Sequence, residues 1–187
     1  MIHALSWSGG KDATLALDRA VRQGLEIRYL FNIYEGVSGR VRFHGVRSEL
    51  IAAQAQALGL ELIQAHTHPE DYAGALDRVL DELVGRGVGG IVFGNIHLED
   101  IRAWYDERLR ARGLEHVEPP WGERPEALVE EFLDRGFRAR VVGVNLEIGR
   151  AEWLGRDLDE RLIEEIAQAP GADVAGERGE DHTFVYD

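Results

Sequence analysis

Five consecutive residues near the N-terminus, Ser8-Gly9-Gly10-Lys11-Asp12, combine types that do chemistry at a spacing that suits it. Paired glycines let successive backbone N–H groups converge on one anion. The Ser8 hydroxyl adds a donor and Lys11 adds a full positive charge. If a helix starts directly after the turn, its N-terminus adds the favourable end of its dipole. The ligand such a turn fits is a pyrophosphate. Lys11 is also the only lysine of the chain, every other Lys or Arg being arginine. Two better-known phosphate turns do not fit. A Walker loop needs glycine at the position of Leu5 and Ser or Thr at that of Asp12. The Gly-x-Gly-x-x-Gly spacing of dinucleotide turns is not met either.

Such a turn must be held between a strand and a helix, and the flanks read that way. Ile2 to Trp7 is an apolar run, and Ala13, Ala16, Leu17, Ala20 and Val21 repeat at helical spacing up to Gly24. Leu25 to Tyr34 reads as a second strand, then Glu35 to Gly45 as a loop. Val46, Leu50, Ala53 and Ala57 mark a second helix, and Leu60 to Ala65 a third strand. Tyr72, Leu76, Val79, Leu80 and Leu83 mark a third helix, and Ile91 to Phe93 a fourth strand. A fourth helix runs from Leu98 to Arg112 with Ile101, Trp104, Tyr105 and Leu109 inward. After the connector Pro119 to Gly122, Pro125 opens a fifth helix carrying Leu128, Phe132 and Leu133. Val141 to Val144 reads as the fifth strand. Asp157 to Glu160 reads as a capping-box start for a last helix through Ile166, and Thr183 to Tyr186 is strand-like.

This alternation predicts an α/β fold: a doubly wound parallel five-stranded sheet with helices on both faces, followed by a small C-terminal α+β extension. Ligands of such sheets sit at the carboxyl ends of the strands. Three marked stretches fall there, namely Ser8 to Asp12, Asn32 to Tyr34, and Gly94 to Asp100.

Composition narrows the function classes. The net charge of −13 argues against a broad nucleic-acid-binding face. The chain has no cysteine, which excludes disulfides, thiolate metal sites and a Cys nucleophile. No apolar run approaches the roughly 20 residues that span a bilayer, and the N-terminus lacks the pattern of a signal peptide. The expected compartment is the cytoplasm, with no membrane partner.

Ser8-Gly9-Gly10-Lys11-Asp12 resembles the PP-loop of the N-type ATP pyrophosphatases, which split ATP between the α and β phosphates and adenylate a substrate oxygen. That loop normally has Ser or Thr after the Asp. Here Ala13 follows, then Thr14. Either Thr14 takes over the hydroxyl role or the loop grips phosphate more weakly. Further pieces resemble the diphthine–ammonia ligase family: Phe43 to Arg47, Phe93-Gly94-Asn95-Ile96 with Glu99 to Arg102, Pro120-Trp121-Gly122, and Gly179 to Val185. The likeness covers essentially the whole chain in order. It departs at Asp173 to Glu177, where the family usually carries Asp-Pro-Cys-Gly-Glu, and members usually continue past the Thr-Phe-Val strand.

The resemblance implies an ATP-binding core over residues 1–115 and a substrate-side region over 116–187. It implies an ATP-dependent, AMP-forming ligase: a carboxylate attacks the α-phosphorus of MgATP, and ammonia then displaces AMP. The substrate in that family is a modified histidine on elongation factor 2. Nucleotide would be held by Ser8, Gly9, Gly10, Lys11, Asp12, Thr14, Asn32, Ile33, Phe43, His44, Gly94, Asn95 and Ile96. The catalytic set would be Lys11, Asp12, Glu99, Glu180 and His182, with Mg²⁺ on Asp12 and Glu99. Asp100, Trp121, Asp181 and Thr183 would line the acyl site. Plainer readings stand beside these. Glu99 and Asp100 suit the first turn of a helix in any case, the C-terminal strand is charged enough to be solvated, and Trp121 suits a core. His66 and His68 lack a third ligand at metal spacing. Without cysteine, sulfur transfer is not expected, and nitrogen must come as free ammonia or from a partner. The alternative is a sensor that holds ATP or AMP without turnover. The sequence leaves the oligomeric state open, a homodimer being one option.

Overall fold

The computed structural model describes every residue except Phe43, Pro69, Glu70 and Arg178. In chain order the strands are β1 (Ile2–Ser6), β2 (Glu26–Glu35), β3 (Arg40–Val41), β4 (Glu61–Thr67), β5 (Val88–Val92), β6 (Glu115–Val117), β7 (Ala139–Val144) and β8 (Asp181–Val185). The helices are α1 (Lys11–Arg22), α2 (Ser48–Leu58), α3 (Tyr72–Gly85), α4 (Glu99–Arg110), α5 (Pro125–Asp134) and α6 (Glu160–Ala167).

Five strands form a parallel sheet in the order β4-β2-β1-β5-β6. The α/β architecture is therefore the one the alternation predicts, with one strand reassigned. Val141 to Val144 does not enter this sheet; as part of β7 it pairs antiparallel with β8 in a separate two-stranded sheet. The fifth parallel strand is β6, three residues beside β5. Glu115-His116-Val117 is too short and polar to read as an apolar run, and Pro119 and Pro120 then take the chain out of the ladder. The expected division after residue 115 falls inside this strand. A sixth, two-residue strand, β3, pairs antiparallel with Tyr34 and Glu35 beyond the end of β1.

Each sheet face is covered by helices. Phe31, Ile63, Ile91 and Phe93 pack with Leu76, Val79, Leu80 and Leu83 of α3. On the other face Leu5, Leu30 and Val92 meet Ala16 and Ala20 of α1 and Ile51 and Ala55 of α2. The phase of two helices differs from the sequence reading. Val21 is exposed while Leu15 is buried, and in α2 Leu50, Ala53 and Ala57 face outward. α2 is apolar almost all round, so periodicity alone gives no unique phase; the residue that fixes it is Gln54, described below.

A third core belongs to the C-terminal part. Phe132, Val141, Trp153, Leu162 and Ile166 are buried together, and Leu15 and Ile96 join them from the first part of the chain. Shared apolar packing thus seats β7 and β8 over the carboxyl end of the main sheet.

Candidate functional site

β1 and β5 are neighbours, and the helices that follow them lead to opposite ends of the sheet, α1 to β2 and α4 to β6. That is the switch point where a crevice opens in a doubly wound sheet. A cavity of about 660 Å³ lies there. Its lining includes Ser8, Lys11 and Asp12 from the glycine turn, Asn32 and Ile33 from β2, Gly94 and Asn95 after β5, and Asp181, His182 and Thr183 from β8.

The turn is fixed from two sides. Gly9 has φ +80°, and a Cβ there would lie 2.6 Å from Gln54 Oε1 and 2.7 Å from Ile51 Cδ1. Gln54 Nε2 donates to the carbonyls of Gly9 at 3.1 Å and Val185 at 2.7 Å, while its Oε1 accepts from the Trp7 indole at 2.9 Å. β8 grips the turn directly as well: Val185 N–H donates to the Gly9 carbonyl at 2.9 Å, and Lys11 N–H donates to Thr183 Oγ1 at 3.1 Å. Gly10 N–H donates to Ser8 Oγ at 3.3 Å. A distant strand therefore completes a turn that begins at residue 8.

Lys11 is buried, with its ammonium donating to Asp12 Oδ2 at 3.1 Å and to the Ala175 carbonyl. Burial works against its charge, but Asp12, Asp181 and Glu177 outweigh this and raise its pKa. Asp181 is 2 % exposed, and neither carboxylate oxygen has a hydrogen-bond partner among the described residues. Burial pushes its pKa up while Lys11 pulls it down. Burial likewise raises Glu177, helped by Asp12 and opposed by the Ile96 N–H. Above the turn the rings of His44 and His182 lie 4.6 Å apart at 44°. Burial, His182 and Lys11 lower His44 to about 3, and burial with Lys11 lowers His182. Both imidazoles are held toward the neutral form.

The far end of the cavity is aromatic. Tyr72, Phe93, Trp104 and Tyr105 line it, the Tyr72 and Tyr105 hydroxyls lie 3.2 Å apart, and the Phe93 and Tyr105 rings lie 4.3 Å apart. Between the two ends Asn32 Nδ2 donates to the Trp7 carbonyl at 2.8 Å, leaving a buried Oδ1 with no partner among the described residues. One end thus offers donors and a cation, the other flat apolar surface.

Family models match almost the full length. Residues 1–116 match the diphthamide synthase N-terminal domain, and residues 124–187 match the diphthamide synthase C-terminal domain. The chain belongs to the diphthamide synthase family. This agrees with a PP-loop of the N-type ATP pyrophosphatase kind, and it supports an ATP-utilising enzyme of that type. No curated protein matches. Among solved structures, the U34-tRNA thiolase NcsA from Methanococcus maripaludis, solved with its 4Fe–4S cluster, is similar at 14% identity and a TM-score of 0.46. The likeness covers 72% of this chain and spans 57% of the thiolase chain.

Of the residues expected at the site, the cavity brings together Ser8, Lys11, Asp12, Asn32, Ile33, His44, Gly94, Asn95, Asp181, His182 and Thr183, with Gly9 and Gly10 forming its turn. Six others stand outside its lining. Thr14 turns back, its hydroxyl donating to the Gly10 carbonyl at 3.0 Å, so Ala13 rather than a hydroxyl meets the cavity. Ile96 is buried in the C-terminal core. Glu99 and Asp100 are exposed in the first turn of α4. Glu180 is buried, accepting from the Asp173 N–H at 2.9 Å. Trp121 stacks under the Arg102 guanidinium at 4.4 Å. Phe43 lies outside the described residues. The sequence reading missed Gln54, Glu177 and Glu118. Gln54 left little trace, since α2 also carries Ser48, Glu49 and Gln56. Glu177 closes the Asp173 to Glu177 run noted in the sequence but was given no role there, and Glu118 had no trace among 34 Asp and Glu.

Proposed function

We propose that this protein is an ATP-dependent, AMP-forming amide ligase that adenylates a carboxylate, releases pyrophosphate and transfers ammonia to the acyl group. The observation that carries this reading is the meeting of the chain's only lysine with β8: Lys11, Asp181, His182 and Thr183 share one cavity with the glycine turn. The glycine turn and the Lys11 ammonium suit the β and γ phosphates, which depart together as pyrophosphate; the Gly10 and Lys11 N–H groups, bonded here to Ser8 and Thr183 hydroxyls, would turn onto them. The aromatic end suits a purine, and about 660 Å³ is of the size that holds such a ligand.

Carboxylates facing a polyphosphate require cations between them, and the cavity lining sets Lys11 and Arg42 against Asp12, Glu177 and Asp181. Mg²⁺ is commonly held by one or two carboxylates together with substrate phosphates rather than by a protein cage. Asp181, with both oxygens unpartnered, and Asp12, beside the turn, fit that use; the exposed Glu99 does not. When bound, Mg²⁺ would neutralise charge on the phosphates. Ammonia arrives largely as ammonium and must lose a proton before it attacks. His182, held neutral, is the acceptor that lines the cavity. Attack forms the C–N bond, the acyl C–O bond to AMP breaks, and a second proton leaves the nitrogen.

A second reading, a nucleotide sensor without turnover, is favoured by Ala13, which leaves the turn without the usual hydroxyl. One experiment separates the two. The protein is incubated with MgATP, ¹⁵N-ammonium and a panel of carboxylates that includes elongation factor 2 bearing the modified histidine. The ligase reading expects AMP, pyrophosphate and a ¹⁵N-labelled amide in equal amounts. Release of ADP contradicts it, and tight ATP binding with no turnover across the panel supports the sensor.

A further inference from the structure

The amide of Asn95 is oriented by a buried network behind the cavity wall. Its Nδ2 donates to Glu118 Oε1 at 2.7 Å. The Glu118 side chain is 1 % exposed. The same Oε1 lies 3.0 Å from His116 Nε2, and Oε2 lies 2.9 Å from Arg102 Nε. His116 in turn has Nδ1 3.5 Å from Asp106 Oδ1, and Arg102 is held flat against the Trp121 ring at 4.4 Å. An ionised carboxylate only accepts hydrogen bonds. Turning the Asn95 amide over would set its oxygen against Glu118, so the NH₂ must face the network. The other end of the amide, an acceptor, is what Asn95 offers the cavity that it lines.

Position narrows what that acceptor meets. Gly94 lies so close to the first turn of α1 that a Cβ there would come within 2.8 Å of the Asp12 carbonyl and 3.0 Å of Ala13 N. Asn95, the next residue, therefore stands between the glycine turn and Phe93 of the aromatic end. Phosphate and carboxylate oxygens have no proton to give it. The donor that lies between the phosphates and the base of a nucleotide is its sugar.

We propose that Glu118 is a positioning residue that locks Asn95 so that Oδ1 accepts a hydrogen bond from a ribose hydroxyl, making the site selective for ribonucleotides. This rests on the reading of ATP as ligand. The test is calorimetric titration of the full chain with the Mg²⁺ salts of ATP, 2′-deoxy-ATP and 3′-deoxy-ATP. The wild type should bind one of the two deoxy analogues about tenfold more weakly than ATP, the size of one good hydrogen bond. In Glu118→Gln the new side chain can meet either end of the Asn95 amide. That ratio should then fall below about threefold while ATP itself binds within about fivefold of wild type. Asn95→Ala, which leaves Glu118 its contacts with His116 and Arg102, should abolish the ratio as well. Equal binding of all three nucleotides by the wild type overturns the proposal, as does a ratio that survives Glu118→Gln. Failure of the wild type to bind ATP at all would be a different result, sinking the ligand reading itself.

Discussion

At the scale of single residues, the site is a set of buried groups whose protonation is biased by enclosure. His44 is the case with a consequence for stability. Its pKa in the fold is about 3 against 6.5 for the free side chain, so between those values the unfolded chain binds a proton that the folded chain refuses. Stability from this group is full above pH 6.5 and is lost as pH falls. His182, also lowered, acts with the same sign; Asp181 and Glu177, both raised, act with the opposite sign. Comparison with a variant isolates His44. Urea unfolding at pH 7 and pH 5 should show wild type losing roughly 1–2 kcal/mol more than His44→Gln. Parallel losses would contradict the enclosure of this ring. The residue scale is also where the sequence was most legible. Glycines, a hydroxyl and a sole lysine in one run marked the turn that the structure places at the cavity. Thr14 was not legible, because a helical threonine satisfies its hydroxyl on its own i−4 carbonyl, and sequence cannot show that choice.

At the scale of elements, close backbone approach sets the geometry. The loop after β5 rides on the first turn of α1 at Gly94, where any side chain would strike main-chain atoms that cannot swing aside. Gly94→Ala should cost about 1–3 kcal/mol by overpacking. It should also push the turn out of register and weaken nucleotide binding at least tenfold. Thermal melts paired with ATP titration check both halves, and an unchanged affinity would contradict the coupling of that loop to the turn. Element identity was readable where periodicity was strong, as in α3, whose inward residues are those its spacing predicted. It failed at β6, where three residues pair with β5 with almost no apolar signature. It failed again at β7, whose apolar run says "buried strand" but not which sheet receives it. Hydrophobicity fixes burial, whereas partner choice depends on connections that only the folded chain shows.

At the scale of the whole molecule, the cavity depends on two distant segments closing on one another. Ion pairs tie α1 to the C-terminal part, with Arg19 reaching Glu123 at 2.6 Å as well as Glu131, and Arg135 reaching Asp18 at 2.7 Å. These pairs are part-buried to exposed and each adds modestly at most. The docking rests instead on the apolar core that Leu15 and Ile96 share with Phe132 and Trp153, and on the strand that bonds Gly9 and Lys11. Composition hid this: a tail rich in Gly, Asp and Glu reads as solvated, yet Glu180, Asp181 and Thr183 are buried because β7 and the glycine turn enclose β8. The central claim is that this closure builds a cradle for the phosphates of ATP. A crystal structure with Mg²⁺ and α,β-methylene-ATP, which cannot be split at that bond, tests it most directly. The account predicts β and γ phosphates against the glycine turn, with the Gly10 and Lys11 N–H groups moved from Ser8 Oγ and Thr183 Oγ1, and Lys11 Nζ from the Ala175 carbonyl, onto phosphate. Nucleotide bound elsewhere, with Lys11 still on Ala175 and Asp12, would contradict it.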